Sequence, residues 1–470
     1  MTDWNLNRLL PREEIAAFHA ALAMPATRCI RLRPDRSDEN VLPMAVEAVP
    51  WFDRGRLIVD PGLRPSQSLH YAAADYYIQD AGSMLALALL DAQPHESICD
   101  LCAAPGGKAS GIGESLSDRG FLLANEVINS RTTILRYALS RTGNPRYAVT
   151  QQDPDEIAGR FSGLFDAVLV DAPCSGQAMV GRGKRDENAF DPKQVEHSAR
   201  RQQRILLAAC KLLKPGGRLI YSTCTFAMEE NEAQMRFLQD RFPGMWEPIQ
   251  SKSLERWASP IEQGCYRLWP HRDATAGAFA AGMILKAPIL QQVEIAPKST
   301  RNRSNKSFPQ SRSRDRLGDV DELNQFGQLH RMQLRATESG DVLGIADDVP
   351  EEIVKRIDDR ELLRLATKKA SICKPEYSLA MLGTDWFEPA RQTDVTDGLA
   401  RKYMLGEAFA AERGPNSEEI SSSRKIKMGS KQPWTVLTWQ KKALGWAKFA
   451  QNRVNNHLPK LAILPICPVE

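Results

Sequence analysis

Two cysteines sit where apolar runs stop: Cys174 in VDAPCSG, Val170 to Gly176, and Cys224 in LIYSTCTFAMEENE, Leu219 to Glu232. A thiolate is a strong nucleophile, but an unperturbed cysteine with a pKa of about 8.5 is mostly protonated at neutral pH. A nucleophile at either position would therefore need activation by its site or its substrate, and the sequence alone does not assign the roles of the two thiols. Upstream, CAAPGGK, Cys102 to Lys108, follows another apolar run, and Glu126, Asp153 and Asp171 each close one. Each feature alone has a plainer reading. APGGK serves as an ordinary strand-to-helix turn, and it matches neither G-x-G-x-x-G nor G-x-x-x-x-G-K-[ST]. Glu126 lies about 20 residues after the glycines, where an acid can hold ribose hydroxyls, though it also suits a helix cap. Asp153 by itself starts a turn. Together these features point to an adenosine-containing cofactor that has no phosphates to cradle. A methyl donor with an adenosine end and an amino-acid end fits that description better than a dinucleotide or a nucleoside triphosphate.

These residues need a frame that brings strand ends together. Between about Glu96 and Lys286, short apolar runs alternate with longer helical stretches, the pattern of a parallel sheet covered by helices. The expected strands are SICDLC, GFLLANE, RYAVTQQD, FDAVLVDAP and GRLIYSTC, with helices over Lys108–Ser117, Ser130–Arg141, Gln194–Leu213 and Glu229–Arg241. In such open sheets ligands bind beyond the carboxyl ends of the strands, where all these residues lie. EENE, Glu229 to Glu232, reads as an acidic helix start rather than as catalytic.

The chain has 470 residues, 42% of them hydrophobic, enough for two or three domains. It lacks both an apolar run long enough to span a bilayer and a secretory leader pattern, so a cytoplasmic location is expected. Nine scattered cysteines, an odd number, argue for a reducing compartment and free thiols. Cys99 and Cys102 have zinc or redox spacing, but no second pair or nearby histidine completes a site, so no metal is expected. Cys29, Cys210, Cys265, Cys373 and Cys467 are most simply small buried hydrophobes.

The net charge of +4 is uninformative until located. From Lys298 to Arg316 there are seven basic residues and one acidic one among many Ser and Asn, which reads as a flexible basic linker. From Arg424 to Lys460 there are nine basic residues and no acidic one, interleaved with Trp434, Trp439, Trp446 and Phe449. That mixture suits phosphate binding, whereas the tryptophans taken singly fit a small core better than base stacking.

The motifs DLCAAPGGK, ANEVINSR, DAPCSGQAMVGRGK and YSTCTFAMEENE closely resemble the Sun and nucleolar-protein family of RNA cytosine methyltransferases. The resemblance runs from Tyr77 to about Lys286, and the layout looks like a bacterial subgroup that acts on small-subunit ribosomal RNA. It implies a Rossmann-like α/β methyltransferase domain using S-adenosylmethionine, with an N-terminal α+β extension. The end of the chain, GWAKFAQNRVNNHLPK, is similar to that subgroup's RNA-binding module, which is PUA-like. The expected domains are 1–75, an RNA-positioning extension; 76–287, the methyltransferase; 288–317, the linker; and 318–470, a region ending in the PUA-like module. Between Leu317 and Glu419 the resemblance is much weaker.

By that resemblance, Cys224 attacks carbon 6 of the cytosine and Cys174 assists proton removal and release. Asp171 contacts ring nitrogen 3, and Lys108 lies near both the base and Asp171. Cofactor contacts carry over to Cys102, Ala103, Ala104, Pro105, Gly106, Gly107 and Lys108, with Glu126 for the ribose, Asp153 near the adenine and Asp171 beside the methionine end. Arg131 would order this region, although an exposed helical arginine is the commoner case. The expected partner is RNA, ribosomal before transfer RNA, presented single-stranded or flipped from its stack. A non-catalytic RNA-binding assembly factor is the alternative from another class, disfavoured by the intact Cys174, Cys224, Asp171 and Lys108. A small-molecule or protein methyltransferase is disfavoured by the basic tail.

Overall fold

The computed structural model describes residues 6–36, 45–183, 187–289, 321–369, 372–410, 433–450 and 453–465. All but the first two residues of the expected basic linker lie outside these ranges, as do Lys184, Cys467 and the tail from Arg424 to Lys431.

After helix α1 (Ile15–Leu22), the N-terminal region forms a small antiparallel sheet in the order β2-β3-β1-β4. Its strands are β1 (Cys29–Leu32), β2 (Val46–Ala48), β3 (Gly55–Ile58) and β4 (Tyr76–Ile78). The larger sheet has the five expected strands, β5 (Ser97–Asp100), β6 (Phe121–Asn125), β7 (Tyr147–Thr150), β8 (Phe165–Asp171) and β9 (Leu213–Thr223). These five run parallel. Strands β5, β6 and β7 are buried along their whole length, which is why they read as unbroken apolar runs rather than alternating ones. Three further strands, β10 (Trp246–Pro248), β11 (Cys265–Leu268) and β12 (Ala278–Leu285), complete it, with β12 antiparallel beside β9. The order is β10-β12-β9-β8-β5-β6-β7, with β11 paired to β12. The chain moves outward from β5 to β7 and then returns to β8 on the other side of β5. The β5/β8 boundary is thus the switch in strand order, where a cleft opens at the carboxyl edge.

The covering helices are α2 (Leu85–Leu90), α3 (Gly107–Gly113), α4 (Asn129–Ser140), α5 (Pro154–Arg160), α6 (Pro192–Leu212) and α7 (Glu232–Arg241). Two of them start by the same local device. Asp153 and Asp191 each accept a backbone N–H two residues on, and Pro154 and Pro192 occupy the first helical position, where no amide partner is needed.

A fully buried Arg31 fastens the N-terminal sheet to α3. Its guanidinium pairs with Glu114 through contacts of 3.1 and 2.8 Å and donates to the Gly107 carbonyl at 2.5 Å and to Ser110 at 2.9 Å. On the C-terminal side, Met332–Ala336, Val342–Ala346, Leu363–Lys369 and Ile372–Pro375 form an antiparallel sheet. A five-stranded sheet comes next, built largely on Trp434–Trp439 and Lys442–Ala450. Trp434, Trp439 and Trp446 are 9% exposed or less, and Trp446 Nε1 donates to the Glu376 carbonyl at 2.9 Å. The tail's tryptophans are core residues, the reading that each taken singly favoured. Salt bridges tie this half to the large sheet domain, Arg146 to Asp348 at 2.5 Å and Arg160 to Glu361 at 2.6 Å. Cys29, Cys210, Cys265 and Cys373 are buried. Among the described residues no helix is long and apolar enough to cross a membrane.

Candidate active site

The loop after β5 is stitched across the sheet before it turns into α3. Leu101 N–H donates to the Leu169 carbonyl of β8 at 2.9 Å, and Ala103 N–H to the Asn125 carbonyl of β6 at 2.8 Å. The buried Asn125 side chain donates to the Leu101 and Gln152 carbonyls at 3.2 and 3.0 Å and accepts from Thr150 at 2.8 Å, joining three strand ends. Gly106 has φ +110°, and a Cβ there would lie 2.6 Å from Ala138 Cβ, so only glycine fits the turn. Arg131 reaches back to donate to the Ala104 carbonyl at 2.6 Å and pairs with Glu126 at 2.9 Å. Arg131 thus holds the loop in place, the role named for it in the sequence beside the commoner one of an exposed helical arginine.

The loop borders a cleft of about 720 Å³. Of the ten residues expected to contact cofactor, seven line it; Ala103, Gly106 and Gly107 do not. Ala103 is buried behind the loop, while Gly106 and Gly107 pack toward α4 and the N-terminal sheet. Glu126 is almost wholly buried at the cleft wall, and its Oε1 also accepts the Ile128 N–H at 2.8 Å. Asp153 serves as helix cap and cleft residue at once, with Arg204 paired to it at 2.8 Å. Val127 and Ile128 are about half exposed and line the same cleft as Pro154. Apolar walls for a flat ring, next to two carboxylates for hydroxyl and amino groups, fit an adenosine-bearing ligand.

At the other end of the cleft the two cysteines meet. Asp171 and Ser222 are register partners across β8 and β9, so the chain leaves both strands side by side and sets Cys174 Sγ 3.4 Å from Cys224 Sγ. Asp171 accepts from Ser222 Oγ at 2.8 Å and pairs with Lys108 Nζ at 2.8 Å. Burial opposes the Lys108 charge, yet the Asp171 carboxylate raises its pKa above the usual lysine value. Beneath this pair, burial, reinforced by the nearby Asp171 charge, pushes Asp100 up to about 8. Asp100 is therefore mainly protonated at neutral pH, which leaves Asp171 as the counter-charge to Lys108.

The thiols are polarised in opposite directions. A hydrogen bond from Cys174 lowers Cys224 against the opposing effects of burial and the Asp171 charge, and Lys108 adds to the lowering. The same hydrogen bond and burial hold Cys174 far above the ordinary thiol value. The pair thus carries its thiolate at Cys224, on the side of Lys108. The rate of covalent attack should rise with pH and level off below the ordinary thiol pKa. Lys108→Ala, by removing the cation, should move that profile to higher pH, measured as the pH dependence of alkylation of Cys224. An unmoved profile would remove Lys108 from the activation.

Two family descriptions match the chain in order: "16S rRNA methyltransferase RsmB/F" over residues 87–284, and "Methyltransferase RsmF PUA domain" over residues 390–463. The part of the chain that holds both cysteines matches the RsmB/F methyltransferase family. Ribosomal RNA small subunit methyltransferase F of Shewanella piezotolerans is 27% identical over 426 residues, covering 88% of this chain and 85% of that protein. Its namesake from an Enterobacter species is 28% identical over 467 residues, covering 94% and 91%. A solved methyltransferase homologue from Pyrococcus horikoshii is 27% identical with a TM-score of 0.52, covering 61% of this chain and 95% of that one. Every expected site residue lies inside the RsmB/F match, from Cys102 to Cys224.

Within that RsmB/F region the acidic stretch has a different job from the one its composition suggests. Glu229 alone is exposed; Glu230, Asn231 and Glu232 are fully buried. Glu230 accepts from Ser175 N at 2.9 Å, Ser175 Oγ at 2.5 Å, Gln202 Nε2 at 2.9 Å and Thr225 Oγ1 at 3.4 Å. Ser175 follows Cys174 and Thr225 follows Cys224, so one carboxylate clamps both cysteine loops. Asn231 binds Thr223 and Thr225, and Glu232 pairs with Arg267 at 2.5 Å. The helix does begin at Glu232, but its acids face inward.

Proposed function

We propose that this chain transfers a methyl group from S-adenosylmethionine to carbon 5 of a cytosine in small-subunit ribosomal RNA through a covalent adduct at Cys224. The observation that carries this reading is the polarised Cys174–Cys224 pair beside Lys108 and Asp171, in the part of the chain that matches the RsmB/F family. Glu126 would hold the ribose and Asp153 the adenine, with Val127, Ile128 and Pro154 against the ring. The bound cofactor supplies an electrophilic methyl group.

Carbon 5 of cytosine is a weak nucleophile, so the Cys224 thiolate first adds at carbon 6, and the electron pair of the 5,6 double bond becomes available at carbon 5. Asp171, held by Lys108 and Ser222, favours protonation at nitrogen 3 as that density moves. After methylation the proton on carbon 5 must leave before the carbon–sulfur bond can break. Cys174 suits that step. Once Cys224 is consumed as a thioether, its charge and hydrogen bond no longer raise Cys174, which leaves burial and the Glu230 charge as the remaining opposition to losing its own proton and then accepting the one from carbon 5. Elimination restores the double bond and returns the thiolate to Cys224.

The test is to incubate the protein with small-subunit ribosomal RNA and a methyl-deuterated donor, then analyse the nucleosides by mass spectrometry. Deuterated 5-methylcytidine is expected. Label in another nucleoside overturns the carbon-5 chemistry, and label only in transfer RNA offered alongside moves the substrate. Binding of both substrates without any label would favour an assembly factor.

A further inference from the structure

Helix α6 follows β8 and leads into β9, so it runs antiparallel to the strands, and its first half lies at the carboxyl edge where the cleft opens. Val195, Ala199, Gln202 and Ile205 are buried on one face. Lys193, His197 and Arg201 are exposed on the other, four residues apart, which puts them in one row at steps of about 6 Å. That step is close to the separation of consecutive phosphates along a nucleic-acid strand.

Their neighbours are already committed. Arg204 is paired with Asp153 and Asp155, and Arg200 with Glu196. Lys193, His197 and Arg201 make no side-chain hydrogen bond or ion pair with other described residues. Arg201 lines the cleft with Met179 and Cys174. Its place on the helix is fixed by the next residue, since Gln202 donates to the Pro173 carbonyl at 3.2 Å and to Glu230 at 2.9 Å. A guanidinium with no ion-pair partner among the described residues is thereby anchored one residue from the clamp on the Cys174 loop, at the inner end of a basic row leading out to the surface.

We infer that this row is the track for the RNA backbone, with Arg201 binding the phosphate beside the flipped target nucleotide, and His197 and Lys193 the phosphates leading away. This rests on the reading of the chain as an RNA methyltransferase. Guanidinium–phosphate contact fixes register without reading sequence, so the row would position the strand, and the cleft would select the base.

The test compares full-length wild type with Arg201→Ala, Arg201→Lys and the remote Lys355→Ala. Methylation of small-subunit ribosomal RNA is measured alongside anisotropy of a labelled single-stranded RNA oligonucleotide across a salt series. Arg201 is exposed in a helix, where alanine is well tolerated, so folding should survive. For Arg201→Ala the expected result is a KM for RNA raised about tenfold, kcat within about threefold, and unchanged affinity for S-adenosylhomocysteine. The plot of log affinity against log salt should flatten by about one unit, Arg201→Lys should recover most of the loss, and Lys355→Ala should match wild type. Unchanged RNA affinity and salt slope in Arg201→Ala, or lost cofactor affinity instead, would overturn the track. Should the wild type methylate no RNA, the proposed function fails, while the oligonucleotide arm still decides whether the row binds phosphates.

Discussion

Cys224→Ala should abolish methyl transfer, by a factor on the order of 10⁴ or more, because it removes the thiol proposed to add to carbon 6. Its affinity for RNA should stay within about twofold. Cys174→Ala should behave differently. Cys224 can still attack and the methyl group can still move, but the proton on carbon 5 has lost its acceptor, so the adduct should accumulate. The observable is protein that stays on RNA through denaturation and vanishes in the double variant, with the modified site read by sequencing the attached RNA. The 3.4 Å approach of the two sulfurs and the Lys108 charge on the Cys224 side give this order of roles its physical basis. An adduct in Cys224→Ala but not in Cys174→Ala would reverse the roles. No adduct in either would remove the covalent step.

Glu230→Ala should be the most damaging change among residues kept away from the substrate. It strands Ser175 N–H and removes one of two partners from both the Ser175 hydroxyl and the Gln202 amide in a fully buried site, a loss of about 3 kcal/mol in stability by urea unfolding. It also frees the loop after Cys174 from the loop after Cys224. A misplacement of about 1 Å costs on the order of 10²-fold in rate, so kcat should fall by that much with little change in KM for RNA. Glu230→Gln keeps the shape and one acceptor but turns one oxygen into a donor facing donors, so its losses should be smaller in both measurements. If Glu230 positions Cys174, the alanine variant should also build up the denaturation-resistant adduct, because release is the step it slows. A protein that loses stability but turns over normally where folded would make Glu230 a structural residue only.

The residues that carry the proposed chemistry were visible in the sequence because each closes an apolar run. Strands β5 to β9 are parallel, and β5, β6, β7, the central stretch of β8 and the second half of β9 are buried, so they appear as continuous hydrophobic stretches, and the residues just after each strand lie at the carboxyl edge of the sheet. The alternation of strands and helices, the APGGK turn, Glu126, Asp153, Asp171 and both cysteines can all be read from that local pattern alone. The tail's tryptophans, taken singly, also read as core residues rather than as base-stacking ones, and they are buried.

The strand order decided the rest. Cys174 and Cys224 are fifty residues apart, and they touch only because β8 and β9 are neighbours in register. The hydrogen bond from Cys174 lowers Cys224, and Lys108, brought in from the far side of the β5/β8 boundary, adds to that. Glu230 reads as a helix-start acid, since nothing local reveals that Ser175 and Gln202 converge on it from other elements. Arg131 and Asn125 likewise owe their roles to partners on neighbouring strands and loops. Periodicity reports which face of an element is buried. Which charges meet there is a property of register and topology, and only the folded chain settles it.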